Sequence, residues 1–303
     1  MKTAVITGAT SMLGCALIEK CIKEKVPVFA VINPDSKRLD KVPENDLVRV
    51  IPCALEKMKE LPALIPEKAV DGIFYHLAWA STSHKGREDV RAQIDNISYT
   101  ADAVEAAKEL GCRRFLFAGS QAEYGLCDKP LTPDTPTFPE TPYGIAKLAA
   151  GKLGGVLCEQ NGMEHIRVRI LSAYGPGDGE RTLISSLIRS LKNGEHFSTT
   201  EGRQIWDFIY KDDVAEALFL LGGKGISGKV YPVGLGKGRP LREYIETVRD
   251  LLSPGTSVGF GEVPYREGQV MHLEADITEL TKDTGFIPRV SFEEGIRKTA
   301  EEF

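Results

Sequence analysis

A few residues from its start the chain runs Val5-Ile6-Thr7-Gly8-Ala9-Thr10-Ser11-Met12-Leu13-Gly14, an apolar run, a glycine-punctuated turn and the opening of a helical pattern. That junction constrains the fold more than any other feature. A strand that turns through glycine into a helix is the first half of a strand–helix–strand unit, and the next strand must then return parallel to the first. The following apolar runs fit. Val26–Ile32, Val48–Pro52, Gly72–Leu77 and Arg114–Ala118 are short and almost continuously apolar, as parallel strands covered on both faces require. Helical patterns intervene at Ser11–Lys25 and Val90–Leu110, the second ending at Gly111 as a C-cap. The expected class is α/β, a doubly wound parallel sheet with a smaller α/β substrate-binding lobe.

Tyr143–Gln160 reads as a further helix and Ile166–Leu171 as a further strand. After Gly175-Pro176-Gly177 the texture changes: glycine and proline become denser, and helices at Leu183–Lys192, Leu241–Leu252 and Phe292–Glu302 alternate with turns. We therefore expect a dinucleotide-binding domain over 1–172, with 208–235 packing back on it, and a substrate lobe from 173–207 and 236–303. A chain of 303 residues is long enough for both. Its net charge of −5 gives no electrostatic reason to bind nucleic acid or an anionic membrane. The opening lacks the basic and long apolar stretches of a signal peptide, and six scattered cysteines without a C-x-x-C pair read as reduced thiols, so a cytoplasmic protein without a metal site is expected.

At the first turn Gly8 would let the backbone reverse and approach a pyrophosphate, Gly14 would allow close helix–sheet packing, and the N–H groups around Thr10, Ser11, Met12 and Leu13 would face the phosphates. Ser11 stands where a third glycine is usual; its Cβ restricts the backbone, while its hydroxyl offers a donor. A turn with no ligand remains the alternative. The second strand ends Asn33-Pro34-Asp35-Ser36-Lys37-Arg38. An acid at the tip would accept from a ribose diol; Asn33 stands there instead, and Ser36 and Arg38 suit a 2′-phosphate. This leans the cofactor towards NADP over NAD, although Asp35 is close by and a solvated charged loop is the plainer reading.

Tyr143 and Lys147 are four apart on one helix, hence on one face. A lysine ammonium near a phenol favours the phenolate and makes it a usable proton carrier near neutrality. Ser120 ends the fifth strand, at the edge of the sheet where open α/β folds bind ligands, and can orient a substrate oxygen beside Tyr143. Together the three suggest hydride transfer at a carbon–oxygen centre.

In this order the motifs resemble the NAD-dependent epimerase/dehydratase family, the extended short-chain dehydrogenases that act mainly on nucleotide sugars. Those carrying the resemblance are Thr7-Gly8-Ala9-Thr10, His76-Leu77-Ala78, Asn96, Gly119-Ser120 with Tyr124-Gly125, Pro142-Tyr143 with Lys147, Arg169 with Tyr174-Gly175-Pro176-Gly177, Asp207-Phe208-Ile209-Tyr210 and Gly285-Phe286-Ile287-Pro288. The resemblance implies Ser120, Tyr143 and Lys147 as catalytic residues and a cofactor lined by Leu77, Ala78, Ala80, Asn96, Ala54 and Leu55. It implies substrate contacts from Ser172 and Arg266, the latter on a pyrophosphate unless it is a surface charge, and a homodimer paired through Val90–Leu110 and Tyr143–Gln160. Sugar 4,6-dehydratases of the family carry Asp-Glu after the catalytic Ser/Thr; Gln121-Ala122 stand here, which argues against elimination of water. Two reactions at C4 remain open: reduction of a 4-keto-sugar by NADPH, slightly favoured by the missing strand-two acid, and NAD-dependent 4-epimerisation. A non-catalytic dinucleotide-binding sensor is the third reading.

Overall fold

A computed structural model describes all residues, Met1–Phe303. The chain runs β1 (Ala4–Thr7), α1 (Met12–Lys23), β2 (Val28–Ile32), β3 (Val48–Pro52), α2 (Leu61–Leu64), β4 (Ile73–His76), α3 (His84–Arg87), α4 (Val90–Glu109), β5 (Arg114–Ser120), α5 (Pro142–Gln160) and β6 (Glu164–Ile170). It continues through β7 (Ser172–Tyr174), α6 (Leu183–Lys192), β8 (Phe197–Thr199), β9 (Ile205–Trp206), β10 (Phe208–Tyr210), α7 (Lys211–Lys224) and β11 (Val230–Val233). The last elements are β12 (Arg239–Pro240), α8 (Leu241–Leu252), β13 (Val258–Phe260), β14 (His272–Leu273), α9 (Thr278–Thr284) and α10 (Phe292–Ala300).

Seven parallel strands form the central sheet in the order β11-β6-β5-β4-β1-β2-β3. Because side chains alternate across a strand, the continuous apolar runs feed two cores at once. Ala4 and Ile6 of β1, Ile73 and Tyr75 of β4, and Leu116 of β5 pack on one face with α1 and α7. Val5, Phe74, Phe115 and Phe117 pack on the other with α4 and α5. A third core, with Ile188, Phe208, Tyr244, Ile245, Phe292 and Ile296 at its centre, joins α6, α8 and α10. Strand order reverses between β1 and β4, so the tips of these strands diverge into a crevice, the position where such sheets hold ligands.

The strands of the main sheet match the apolar runs closely. Two segments differ. Helix α7 continues through Gly222 and Gly223 to Lys224, although two glycines weaken a helix interior. Its last carbonyls are capped from outside: Arg114 Nη1 donates to Leu221 O at 2.8 Å and to Gly222 O at 2.7 Å. Gly222 also lies so close to the Tyr75 hydroxyl that a side chain would not fit. Helix α9 was not anticipated; it has seven residues, too few to show a period, and ends at Gly285 with φ of 78°.

The chain between β9 and β10 is fixed by Asp207, which is fully buried. Its carboxylate accepts backbone N–H bonds from Leu235 at 2.7 Å, Gly236 at 3.0 Å and Ala275 at 3.1 Å. One side chain thus ties together three separate stretches of chain. An Asn amide would present its NH2 to one or more of these donors and leave them unpaired. Asp207→Asn should therefore lower the unfolding free energy by about 2–3 kcal/mol, measured by urea denaturation; a loss within error of zero would show that the three bonds contribute nothing net.

Candidate active site

The first turn is built for a close backbone approach. Gly8 has φ of 70°, and a Cβ there would meet the Ala78 nitrogen at 2.8 Å. A Cβ at Gly14 would strike the Gly8 carbonyl. Ser11 is the N-cap of α1, with φ of −76° and ψ of 160°, so its Cβ costs nothing in this extended conformation. Its Oγ accepts from Gly14 N at 3.0 Å, which leaves the hydroxyl proton free to donate outwards. Ser11, Met12 and Leu13 line a cleft of about 990 Å³, together with Arg38, Leu77, Gln121, Ala122 and Tyr143. A glycine cradle, a helix N-terminus and a hydroxyl donor facing one cleft fit the diphosphate of a dinucleotide.

Thr7 ties this turn to the loop after β4. Ala78 N donates to Thr7 Oγ1 at 3.2 Å, and the same hydroxyl lies 3.0 Å from His76 Nδ1. Burial and the Lys147 charge push His76 down to about 3, so the ring is neutral. Thr100 Oγ1 donates to Asn96 O at 2.9 Å and sits 3.4 Å from His76 Nε2. That order of donors assigns the ring proton to Nε2 and makes Nδ1 the acceptor from Thr7. Asn96 is buried and spends its amide on the loop: Oδ1 accepts from Ala80 N at 2.8 Å, and Nδ2 donates to Ala80 O and Ala92 O. It therefore fixes the loop at Ala80, and both amide atoms are engaged with loop or helix backbone.

At the end of β2, Ser36 Oγ donates to Thr10 Oγ1 at 3.2 Å, and Arg38 Nη2 donates to Gly177 O at 2.7 Å while lining the cleft. Asn33 and Asp35 are exposed; the Asn33 Oδ1 accepts from Asp35 N at 3.0 Å, an ordinary turn. Ala54 and Leu55, beyond β3, fall outside the lining of the cleft, as do Ser172 in β7 and Arg266. Arg266 is exposed; Gly268 and Val270 reach the cleft in its place.

Ser120, Tyr143 and Lys147 come together at the tip of β5. Thr141 caps α5, its Oγ1 accepting from Gly144 N at 3.1 Å, and Pro142 starts the helix. Gly144 packs so tightly on the Ala122 carbonyl that any Cβ would collide with it. This approach lays the first turn of α5 on the Gln121–Glu123 turn and brings the Tyr143 phenol to the Ser120 hydroxyl. Lys147, one turn later, is buried, and its Nζ donates to Ala118 O at 2.8 Å and sits 3.8 Å from the Trp79 ring centre. Burial pushes this lysine down to about 7. Burial also raises the Tyr143 phenol above its usual value, against the opposing pull of the Arg87 charge and the Ser120 hydroxyl. The lysine-lowered tyrosine expected from spacing is thus replaced, in the free chain, by a raised tyrosine beside a depressed lysine.

Glu123 completes the frame. Its Oε1 accepts from Ser120 N at 2.8 Å and its Oε2 from Arg169 Nε at 2.8 Å, with both side chains almost fully buried. The Ser-x-x-Glu spacing from Ser120 is a capping-box signal that reveals Glu123 in the sequence. Trp79 and Arg87 carry no such signal. Trp79 Nε1 donates to Gln93 Oε1 at 2.9 Å, and the Arg87 guanidinium lies 4.7 Å from the Tyr143 ring centre.

The NAD-dependent epimerase/dehydratase family's sequence profile matches residues 4–234. The chain belongs to that family. It is accordingly an enzyme that uses a nicotinamide dinucleotide. Among its relatives, the CDP-abequose synthase of Salmonella typhimurium is 25% identical, the match covering 97% of this chain and 96% of that one. A putative UDP-glucose 4-epimerase of Methanocaldococcus jannaschii is 26% identical over the same shares of each. The solved UDP-glucose 4-epimerase of Thermotoga maritima with UDP-glucose superposes with a TM-score of 0.88 at 23% identity, covering 99% of this chain and 98% of that one. No helix is long and apolar enough to cross a membrane.

The Lys147 shift sets a pH dependence. An unfolded chain holds this proton up to the ordinary value of 10.5, while the folded chain gives it up near 7. Between those limits the unfolded state binds more protons, so this residue's contribution to stability rises with pH and is lost as pH falls to 7. The unfolding free energy of the wild type minus that of Lys147→Met should therefore increase from pH 7 to pH 9 in denaturant titrations at constant salt. A flat difference would place the ammonium in a better solvated setting than its burial implies.

Proposed function

We propose that the protein reduces the 4-keto group of a nucleotide-linked sugar with NADPH. The observation that carries this reading is the pairing of Arg38 and Ser36 beside the first turn, with no carboxylate at the tip of β2. A guanidinium and a hydroxyl on the adenosine side of a pyrophosphate cradle match a 2′-phosphate, and Arg38 can trade its bond to the Gly177 carbonyl for two charge-assisted ones. The CDP-linked and UDP-linked sugars in the names of the relatives support a nucleotide sugar as substrate. The substrate lobe formed by 173–207 and 236–303 would close over it.

When bound, the dinucleotide supplies the hydride. Ser120 would hold the ketone oxygen and Tyr143 would protonate it as charge develops there, the phenol being the one titratable donor beside Ser120. Lys147 would orient the ribose and return positive charge to the tyrosine once its bond to Ala118 is exchanged for the ligand. Gln121 and Ala122 line the cleft next to Ser120 and carry no acid, so protonation of a departing 6-hydroxyl has no donor there. A 4-epimerase is the second reading, supported by the relative of that name; it needs the same proton carrier and NAD in place of NADPH. We further propose that two chains pair through α4 and α5, whose exposed Val90, Ile94, Ile145, Leu153 and Val156 form an uncovered apolar face.

With a panel of nucleotide-linked 4-keto-sugars, loss of the reduced-nicotinamide absorbance is expected with NADPH. Interconversion of 4-isomers with NAD and no net absorbance change would instead establish the epimerase, and neither result would remove both readings. Tyr143→Phe should lower turnover by about 10²–10⁴-fold with little change in dinucleotide affinity. Arg38→Gln should raise KM for NADPH by about 10–100-fold and leave that for NADH unchanged; equal effects on both would take the 2′-phosphate away from Arg38.

A further inference from the structure

The loop between β4 and α4 is built to hold one cation over Tyr143. Ser83 caps α3 by accepting from Gly86 N at 3.2 Å. The buried Gln93 donates to Ser81 O at 3.2 Å and Gly86 O at 2.8 Å, and accepts from Trp79 Nε1. The loop is thereby pinned to α4 on one side and to the Lys147–Trp79 contact on the other. At its end Arg87 Nε donates to Thr82 O at 3.0 Å, and the guanidinium carbon lies 4.7 Å from the Tyr143 ring centre. Trp79 meets the same ring edge-on, with centroids 6.2 Å apart.

We propose that Arg87 is a positioning residue for Tyr143: its guanidinium fixes the ring and supplies the permanent positive charge that stabilises the phenolate form. This rests on the reading of Tyr143 as the proton carrier. The other groups facing the phenol do not supply that charge. Lys147, on its own helix, is 5.9 Å from the ring centre, is bonded to Ala118 O and is only partly protonated at neutral pH. Glu123, from the turn after β5, carries the opposite sign and is committed to Arg169. Ser120 contributes a neutral hydroxyl from β5, and Trp79 a neutral ring. His84 and Glu88 flank Arg87 in the wall of the cleft, one a weak base and the other an acid. A guanidinium stays charged throughout the working range, and its planar shape stacks on an aromatic face as an ammonium does not. The direction agrees: the Arg87 charge is the foremost influence opposing the rise that burial imposes on Tyr143.

The test compares wild type, Arg87→Gln and Arg87→Lys by two readouts. The first follows Tyr143 by NMR in protein labelled with carbon-13 at tyrosine Cζ, with and without bound NADP, the resonance being assigned with Tyr143→Phe. The second is the pH profile of kcat. In Arg87→Gln both inflections should move up by roughly one pH unit, the size expected for one screened charge at this distance, and Arg87→Lys should recover part of the shift. Arg87 is exposed, so both variants should keep the wild-type melting temperature. An unmoved Tyr143 inflection in Arg87→Gln overturns the proposal. So does a variant whose KM rises while its pH profile stays in place, since Arg87 would then be a substrate contact. If no protein turns over any substrate yet the NMR inflection moves, the proposal stands and the reductase reading falls.

Discussion

The active-site end of the sheet depends on the buried pair between Glu123 and Arg169. Both charges are removed from water, at 2% and 4% exposure of their side chains, which is costly unless every remaining donor and acceptor finds a partner. Glu123 meets that demand by bonding Ser120 N with its second oxygen; Arg169 lies 4.2 Å from the centre of the Tyr124 ring and leaves its buried Nη1 without a hydrogen-bond partner. The consequence is geometric. The tips of β5 and β6 are locked to each other, and Ser120 is held where the first turn of α5 can reach it. A Cβ at Gly119 would collide with the Glu123 carboxylate, so the glycine before the serine follows from the ion pair. The Gly119-Ser120 dipeptide and the Tyr-x-x-x-Lys helix are in this sense one feature seen twice, joined by a carboxylate between them.

The parallel sheet was legible because its central strands β1 and β4 are buried on both faces and apolar along most of their length; β2, β3 and β4 differ from the apolar runs by no more than two residues at an end. The short strands β7 to β10 and β12 to β14 were not, since two or three residues carry no periodicity. Within the site, Ser120, Tyr143, Lys147, the glycine turn and Arg38 could be found because each sits at a fixed place relative to a strand tip or a helix start. Arg87 could not. It reaches Tyr143 from a segment more than fifty residues earlier, through a loop whose shape depends on Gln93 and Trp79 rather than on any local pattern. Asn96 shows the converse: its position is legible, but its amide serves the loop backbone, which only the hydrogen-bond geometry reveals.

The free chain keeps its reacting groups in a resting arrangement. Lys147 gives its proton-bearing nitrogen to a strand carbonyl and an indole face, Arg38 holds the Gly177 carbonyl, and Tyr143 lines the cleft against the Arg87 guanidinium. Each of these bonds is one that a dinucleotide can replace with a better one: a ribose hydroxyl for the Ala118 carbonyl, a phosphate for the Gly177 carbonyl. Exchange of one acceptor for another costs less than exposure of bare charges, because each donor ends with a partner.

The same logic separates what the fold decides from what the side chains decide. In the proposed roles, Ser120, Tyr143 and Lys147 would fix where a proton moves and on which oxygen, and would do so identically for reduction and for epimerisation. The difference lies in whether the nicotinamide leaves after one hydride transfer or stays to return it, which is a matter of how the adenosine end is gripped. Arg38 bridges that end to the Gly175–Thr182 segment, and Gly177 N in turn is held by Glu302 of the C-terminal tail. A phosphate that drew Arg38 away from Gly177 would loosen the link between the cleft and the Gly175–Thr182 segment, whereas an unphosphorylated ribose would leave that link intact. The contacts of Ser36 and Arg38 thus favour the NADPH reading proposed above, and a retained NAD would have to be held with Arg38 still on the Gly177 carbonyl.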